Sequence, residues 1–264
     1  TLPMAFECIE EALGTMRFRS LMRSQLRGSD TPVPGETLAP VAKALMTEQA
    51  RAIPRILRVI TFNADDLLER EVHGDPEHLR RAPIIWPIVR ESGHVRRERG
   101  FGGRPPIPVY HLHGFVPSHA RWLWHEEAAE SLIFTDAQYW ASVASPASFA
   151  NRVMMHALHD SHCVFLGLSM TDINLMRWFA LRAAAVTQDK ARQFADHPQG
   201  LAQATQQALL RHFWIRRRPP PGDDLLGRHL ARRGVQSVEV AEWKDVAQLL
   251  ALGSQDTLTP ARAP

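Results

Sequence analysis

Three short stretches of the chain bring polar groups to the ends of apolar runs. In RVITFNADDLLER, residues 58–70, the run Val59–Phe62 stops on Asn63, and Asp65 and Asp66 follow. An amide offers a donor and an acceptor together, whereas a carboxylate only accepts. Asn63 and Asp65, two positions apart at a strand end, can therefore hold a ribose hydroxyl, a carboxamide or a water molecule. Asp65 or Asp66 can equally cap the helix that follows. In YHLHG, residues 110–114, His113 ends an alternating strand, and His111 shares its face. Imidazole titrates near neutrality, which suits His113 to proton transfer. Gly114 lets the backbone turn or approach a ligand closely. H-x-H also invites a metal, but no third ligand has matching spacing. With 13 histidines in the chain, one alone carries little weight. In GLSMTDIN, residues 167–174, Gly167 and Ser169 can turn backbone amides toward an anion at a helix start. The stretch is neither GxGxxG nor a P-loop, and Thr171 or Asp172 can simply cap the helix.

The elements that must position these residues alternate along the chain. Apolar spacing of Phe6, Ile9, Leu13 and Met16 predicts a helix over 4–26. GSDTPVPGE, 28–36, reads as a loop, and a helix resumes over 37–51. RILRVITFN reads as a strand and DDLLEREVHG as a helix that stops at Gly74. Residues 83–108, rich in Pro, Gly and Arg, read as a long irregular connection with room for a hairpin, a candidate lid or binding loop. PVYHLHG is the next strand. Thr135 and Gln138 stand three apart as in a capping box, so a helix starts after Thr135. A helix over 148–160 precedes CVFLGLS, a third buried strand. TDINLMRWFALRAAAV predicts a strong helix with Ile173, Met176, Ala180 and Leu181 on one face, and TQDKARQFADHPQG an exposed stretch. RHFWIRR and VQSVEV read as strands, WKDVAQLLAL as a helix ended by Gly253, and 255–264 as a flexible tail. Strands alternating with helices predict an α/β fold, a mostly parallel sheet with helices on both faces. In such sheets ligands bind beyond the carboxyl ends of the strands, so the three polar ends predict one shared site.

Composition narrows the function classes. The 264 residues are 45% hydrophobic and 22% charged, which suits one large α/β domain or two small ones. A net charge of +3 and a pI of about 9.2 permit nucleic-acid contact without demanding it. The Arg-rich HVRRERGFGGR and IRRRPPP read as solvated loops, so direct nucleic-acid contact is not expected. Cys8 and Cys163 are too few and too far apart for a disulfide framework or a four-thiolate zinc site, and Cys163 reads as a reduced core residue. No run approaches the roughly 18 apolar residues of a membrane span, and no secretory signal is visible. A cytoplasmic protein with no membrane contact is expected.

The order and spacing of the three stretches carry more than any one of them. Through VITFNADDLLE, VYHLHG, LIFTDAQYW, CVFLGLSMTDINL, RHFWI and GVQSVEVAEWKDVAQLL, the chain resembles the sirtuin-like NAD-consuming domain of bacterial anti-phage defence proteins over about residues 55–250. The resemblance implies a Rossmann-like sheet that binds NAD, as substrate and without metal, in a single domain over residues 1–254. It implies that Asn63, Asp65 and His113 are catalytic, that Gly167 and Ser169 form the nucleotide-binding Gly-x-Ser, and that Asp172 and Asn174 match the Asp-x-Asn that follows it. Thr61 and Gly114 join Asn63 and Asp65 as expected NAD neighbours. The implied activity is cleavage of NAD to nicotinamide and ADP-ribose, gated by a further domain, a partner protein or oligomerisation. The family begins with a strand and a Gly-Ala-Gly-x-Ser phosphate loop. No such loop occurs in these residues, so the first strand is expected upstream of residue 1. A catalytically inactive NAD or ADP-ribose sensor and a protein deacylase are the alternatives. The deacylase reading is weakened because that branch carries a four-cysteine zinc module.

Overall fold

Val59, Ile60 and Thr61, β-branched residues suited to a pleated surface, form the short strand β1 (Val59–Thr61). In the computed structural model of the protein the described residues are 2–27, 35–74, 81–89, 103–116, 132–195, 199–209, 212–220, 222 and 224–254. They divide into two compact units, one of Thr1–Ala144 with Val246–Pro264, the other of Ser145–Asp245.

The first unit opens with helices α1 (Leu2–Leu13), α2 (Thr15–Arg27) and α3 (Leu38–Ala50) ahead of β1. The single helix expected over 4–26 is broken at Gly14. This residue takes φ 75°, a left-handed conformation open to glycine at little cost, and the chain restarts from it. After β1 come α4 (Leu67–His73), β2 (Ile85–Ile88), β3 (Ile107–His111) and α5 (Asp136–Ala144). The three strands form a parallel sheet in the order β1-β3-β2, with Val59 opposite Val109 and Ile85 opposite Ile107. Ala42 and Leu45 of α3, Val72 of α4, and Ile85, Ile107 and Val109 of the strands make its core. Each large aliphatic side chain buried there contributes about 1.5–3 kcal/mol. That core holds the carboxyl ends of β1 and β3 side by side.

Two prolines fit this sheet for different reasons. Pro87 lies in β2, an edge strand, where a missing donor is tolerated. Pro108 lies in the central strand. Ile107 N–H bonds to Ile84 O on the β2 side and Leu112 N–H to Thr61 O on the β1 side. Alternation therefore turns the Pro108 nitrogen toward β1, one step before Val59, where the β1 ladder begins. The irregular connection expected over 83–108 thus contains a strand, β2, paired in parallel. Its apolar IIWPI was masked by the surrounding Pro and Arg. Residues 90–102, most of the loop 28–36, and the tail 255–264 lie outside the described residues.

In the second unit, α6 (Phe149–Asp160) leads into β4 (Val164–Leu166), α7 (Ile173–Gln193), α8 (Leu201–Leu209), β5 (His212–Arg217), α9 (Leu225–Ala231) and β6 (Val235–Val240). Its strands pair in parallel in the order β4-β5-β6. β4 is less buried than expected: Val164 is exposed and Phe165 faces the core. The apolar face read on α7 is not its buried one, since Ile173 is 62% and Leu181 50% exposed. Asn174, Leu175, Trp178, Phe179 and Arg182 are buried instead. Polar residues, Asn174 and Arg182, stand at the two ends of that stripe, which shortens it in an apolar count. Arg182 is paired throughout: its guanidinium donates to Leu158 O at 2.8 Å, Leu209 O at 3.2 Å and Ala208 O at 3.3 Å, joining α6, α7 and α8. The helices α8 and α9 were not anticipated from the sequence. The chain returns to the first unit as α10 (Val246–Ser254), which packs on α3. α10 runs through Gly253 rather than stopping there. A glycine near a helix end costs only about 1 kcal/mol.

The architecture is mixed α/β with two small, wholly parallel sheets, consistent with a Rossmann-like fold. No helix among the described residues is long and apolar enough to cross a membrane.

Candidate functional site

At the end of β1 the Thr61 hydroxyl accepts the Asn63 N–H at 3.0 Å. The turn leaves Asn63 exposed, while Asp65 is half-buried. The Asp65 Oδ1 accepts the Leu67 N–H at 3.2 Å, at the start of α4. Asp66 holds the N-cap position but makes no side-chain cap bond. For one Asp65 oxygen, then, the structure shows the helix-start role that the sequence left open.

The loop after β1 is fastened to the loop after β3. Leu112 N–H donates to Thr61 O at 3.0 Å, and Val116 N–H donates to Ala64 O at 2.5 Å. Between these two bonds the His111 Nδ1 donates to Asn63 O at 3.1 Å. The His111 Nε2 faces Glu69 Oε1 of α4 at 2.9 Å, and the two side chains are 1% and 0% exposed.

The strand stops at His111 instead of continuing to His113, so strand alternation does not place the two histidines on one face. Gly114 N–H turns back to His111 O at 3.3 Å, with Gly114 at φ 88°, a value few residues besides glycine adopt. His113, in the turn, is half-buried. Its ring stands edge-on to Phe62 at 5.3 Å and to Tyr139 of α5 at 5.9 Å. Its carbonyl accepts the Ile133 N–H at 3.1 Å. The start of α5 is the expected capping box. The Gln138 N–H donates to Thr135 Oγ1 at 3.3 Å, and Gln138 Oε1 accepts the Thr135 N–H at 3.4 Å and the Phe134 N–H at 3.0 Å. This cap sets the first turn of the helix that carries Tyr139.

The first unit therefore brings together Thr61, Asn63, Asp65, His113 and Gly114. An exposed amide and a half-buried imidazole flanked by two aromatic rings stand on adjoining loops. The remaining expected site residues belong to the second unit. There Gly167 has φ 70° and the Ser169 hydroxyl pairs with Thr171 Oγ1 at 2.8 Å. The Asp172 carboxylate accepts the N–H groups of Asn174 and Leu175, both at 2.9 Å, and so caps α7. The start of α7 is thus already met by a carboxylate, which competes with an incoming anion for the same amides. Asn174 is buried.

A family model for the SIR2-like domain matches residues 57–226. The chain belongs to the SIR2-like domain family. The matched region of this SIR2-like domain runs from just before β1 into α9. It takes in Asn63, Asp65, His113 and the stretch 167–174 in both units. The family is one of NAD-dependent enzymes. None of the curated proteins matches the chain. Among the described residues of the SIR2-like domain, no group of three or more His, Cys, Asp or Glu is placed to hold a metal ion.

Sequence reasoning missed Glu69, and it treated His111 only as a neighbour of His113. A signal was present. Glu69 lies three and four residues before Val72 and His73, the buried positions of α4. A carboxylate on the buried stripe of a helix requires a partner. Tyr139 was likewise visible only as part of a helix.

Proposed function

We propose that this SIR2-like domain is an NAD+ glycohydrolase that cleaves NAD to nicotinamide and ADP-ribose. The observation that carries the reading is that the exposed Asn63 and the half-buried His113 lie on two loops fastened to each other at three points. Breaking the ribosyl–nicotinamide bond sends its electron pair to the positively charged ring, which leaves as neutral nicotinamide. Oxocarbenium-like charge builds on the sugar, as in glycoside hydrolysis. Water then adds to the anomeric carbon and gives up one proton. Asn63 orients the ribose hydroxyls or the water through its paired donor and acceptor. His113 takes the proton, with Phe62 and Tyr139 fixing its ring plane. Asp65, with one oxygen engaged at α4, has the other available to the nicotinamide side. The Gly167–Ser169 loop is proposed as a nucleotide-binding element, with Asp172 and Asn174 shaping it.

Unrestrained NAD cleavage would poison its host. The proposed setting is accordingly a gated cytoplasmic effector of anti-phage defence, restrained by another domain, a partner or oligomerisation. This part rests on the resemblance alone. The competing reading is a nucleotide sensor without catalysis, and the engagement of Asp65 and Asp172 in helix starts favours it. Nicotinamide release by the purified protein, with and without its natural partners, separates the two. Release that disappears in Asn63→Ala supports the hydrolase. NAD binding with no release under any condition supports the sensor.

A further inference from the structure

The buried Glu69–His111 pair lies directly beneath the proposed site, and no step above uses it. A backbone carbonyl can only accept a hydrogen bond, so the contact with Asn63 O places a hydrogen on the His111 Nδ1. On the other side of the ring, Nε2 and Glu69 Oε1 share one proton across 2.9 Å, as imidazolium and carboxylate or as imidazole and carboxylic acid. In either form, rotating the ring breaks both bonds. The ring also packs against Phe115, with centroids 4.4 Å apart. The second Glu69 oxygen is buried with no partner among the described residues, so the carboxyl group depends on His111 for its hydrogen bonding. Burying such a pair is costly and seldom favourable for stability alone. Glu69 projects from α4, the same helix whose first turn Asp65 engages. The connections close a circuit: Asn63 carbonyl, His111 ring, Glu69, α4, Asp65 and back to the Asn63 loop.

We infer that Glu69 and His111 are positioning residues, which fix the backbone of Asn63 so that its amide is presented outward in one orientation. The reaction in which Asn63 would then act is the NAD cleavage proposed above, and to that extent the inference rests on that reading. The pair does not touch the substrate. Its effect passes through the Asn63 carbonyl.

The test compares wild type with Glu69→Leu, which removes the bond, and Glu69→Gln, whose amide can donate to Nε2. Amide hydrogen exchange reads the loop without reference to activity. In Glu69→Leu, the amides of Asn63–Leu67 and Val116 should exchange at least tenfold faster, with those of β5 and β6 unchanged. With NAD, kcat should fall at least tenfold while KM stays within twofold, and Glu69→Gln should recover most of the loss. Unchanged exchange in the loop, or acceleration spread evenly over the protein, overturns the inference. If wild type fails to cleave NAD, the hydrolase reading falls, while the exchange result still decides whether the pair positions Asn63. If Glu69→Leu does not fold, the wild-type nitrogen-15 spectrum of the His111 ring decides. A protected Nδ1 hydrogen supports the inference, and a bare Nδ1 overturns it.

Discussion

Two loops of this SIR2-like domain perform the same topological task, each leading from the end of a parallel strand toward a helix, and they are held by different means. The loop after β1 is fastened from outside. Its backbone bonds to Leu112, His111 and Val116, residues about fifty positions further along, and its Asn63 side chain is left exposed. The loop after β4 spends its side chains on itself. Ser169 pairs with Thr171, Asp172 caps α7, and Trp214 Nε1 donates to Leu168 O at 3.0 Å. Met170, buried at φ 58°, adds a local constraint. A loop whose shape is maintained by its backbone has polar side chains to offer a ligand. A loop whose shape is maintained by its side chains offers mainly its amides and its glycine. The contrast agrees with the proposal that gives the reacting groups to the first loop and the nucleotide contacts to the second.

The largest effects should fall on activity in the first loop. His113→Ala should lower the rate of NAD cleavage by about 10²–10⁴-fold, the range for a lost general acid or base. Asn63→Ala should lower it by roughly 10²–10³-fold, as for loss of one oriented polar group. Because Asn63 is exposed, its thermal midpoint should stay within a degree or two of wild type. Steady-state nicotinamide release and a melting curve check both, and equal losses from Ser169→Ala would erase the distinction between the loops.

Stability should separate them next. His111→Ala strands the Glu69 carboxyl in the core and should cost about 3–5 kcal/mol in urea unfolding. Asp172→Ala removes a local cap and should cost only about 0.5–2 kcal/mol. If the two losses prove equal, the contrast between distant and local fastening does not hold. Smallest of all, Ser169→Ala should change stability by no more than about 0.5 kcal/mol, as for an exposed hydroxyl bonded only to a neighbour. A severalfold rise in KM for NAD in that variant would sharpen the comparison by showing the second loop contributing to binding alone.

Much of the local structure was legible in the sequence. The β-branched run 59–61, the Thr135–Gln138 box, Ser148 ahead of α6 and Asp172 ahead of α7 all stand where the chain changes conformation. What was missed has identifiable causes. The single glycine that splits α1 from α2 was outweighed by apolar spacing on both sides. β2 was concealed by the prolines that an edge strand tolerates. The buried face of α7 differs from its apolar one because it begins at Asn174 and ends at Arg182, a charged residue with all three guanidinium nitrogens bonded to carbonyls.

The amino-acid sequence by itself determined the types and spacing of the groups proposed to do chemistry, the alternation of strands and helices, and the motifs on which family membership rests. These follow from short-range causes: side-chain shape, capping bonds within three or four residues, and periodicity. Only the tertiary structure decided which of two histidines, two positions apart, is sealed in the core and which is left half-buried at the proposed site. His111 is buried because Glu69, 42 residues earlier, meets it from α4, whereas His113 lies beyond the strand end between Phe62 and Tyr139. Nothing within the five residues YHLHG carries that difference. It arises from where the packing of distant elements places a carboxylate and where it places aromatic rings.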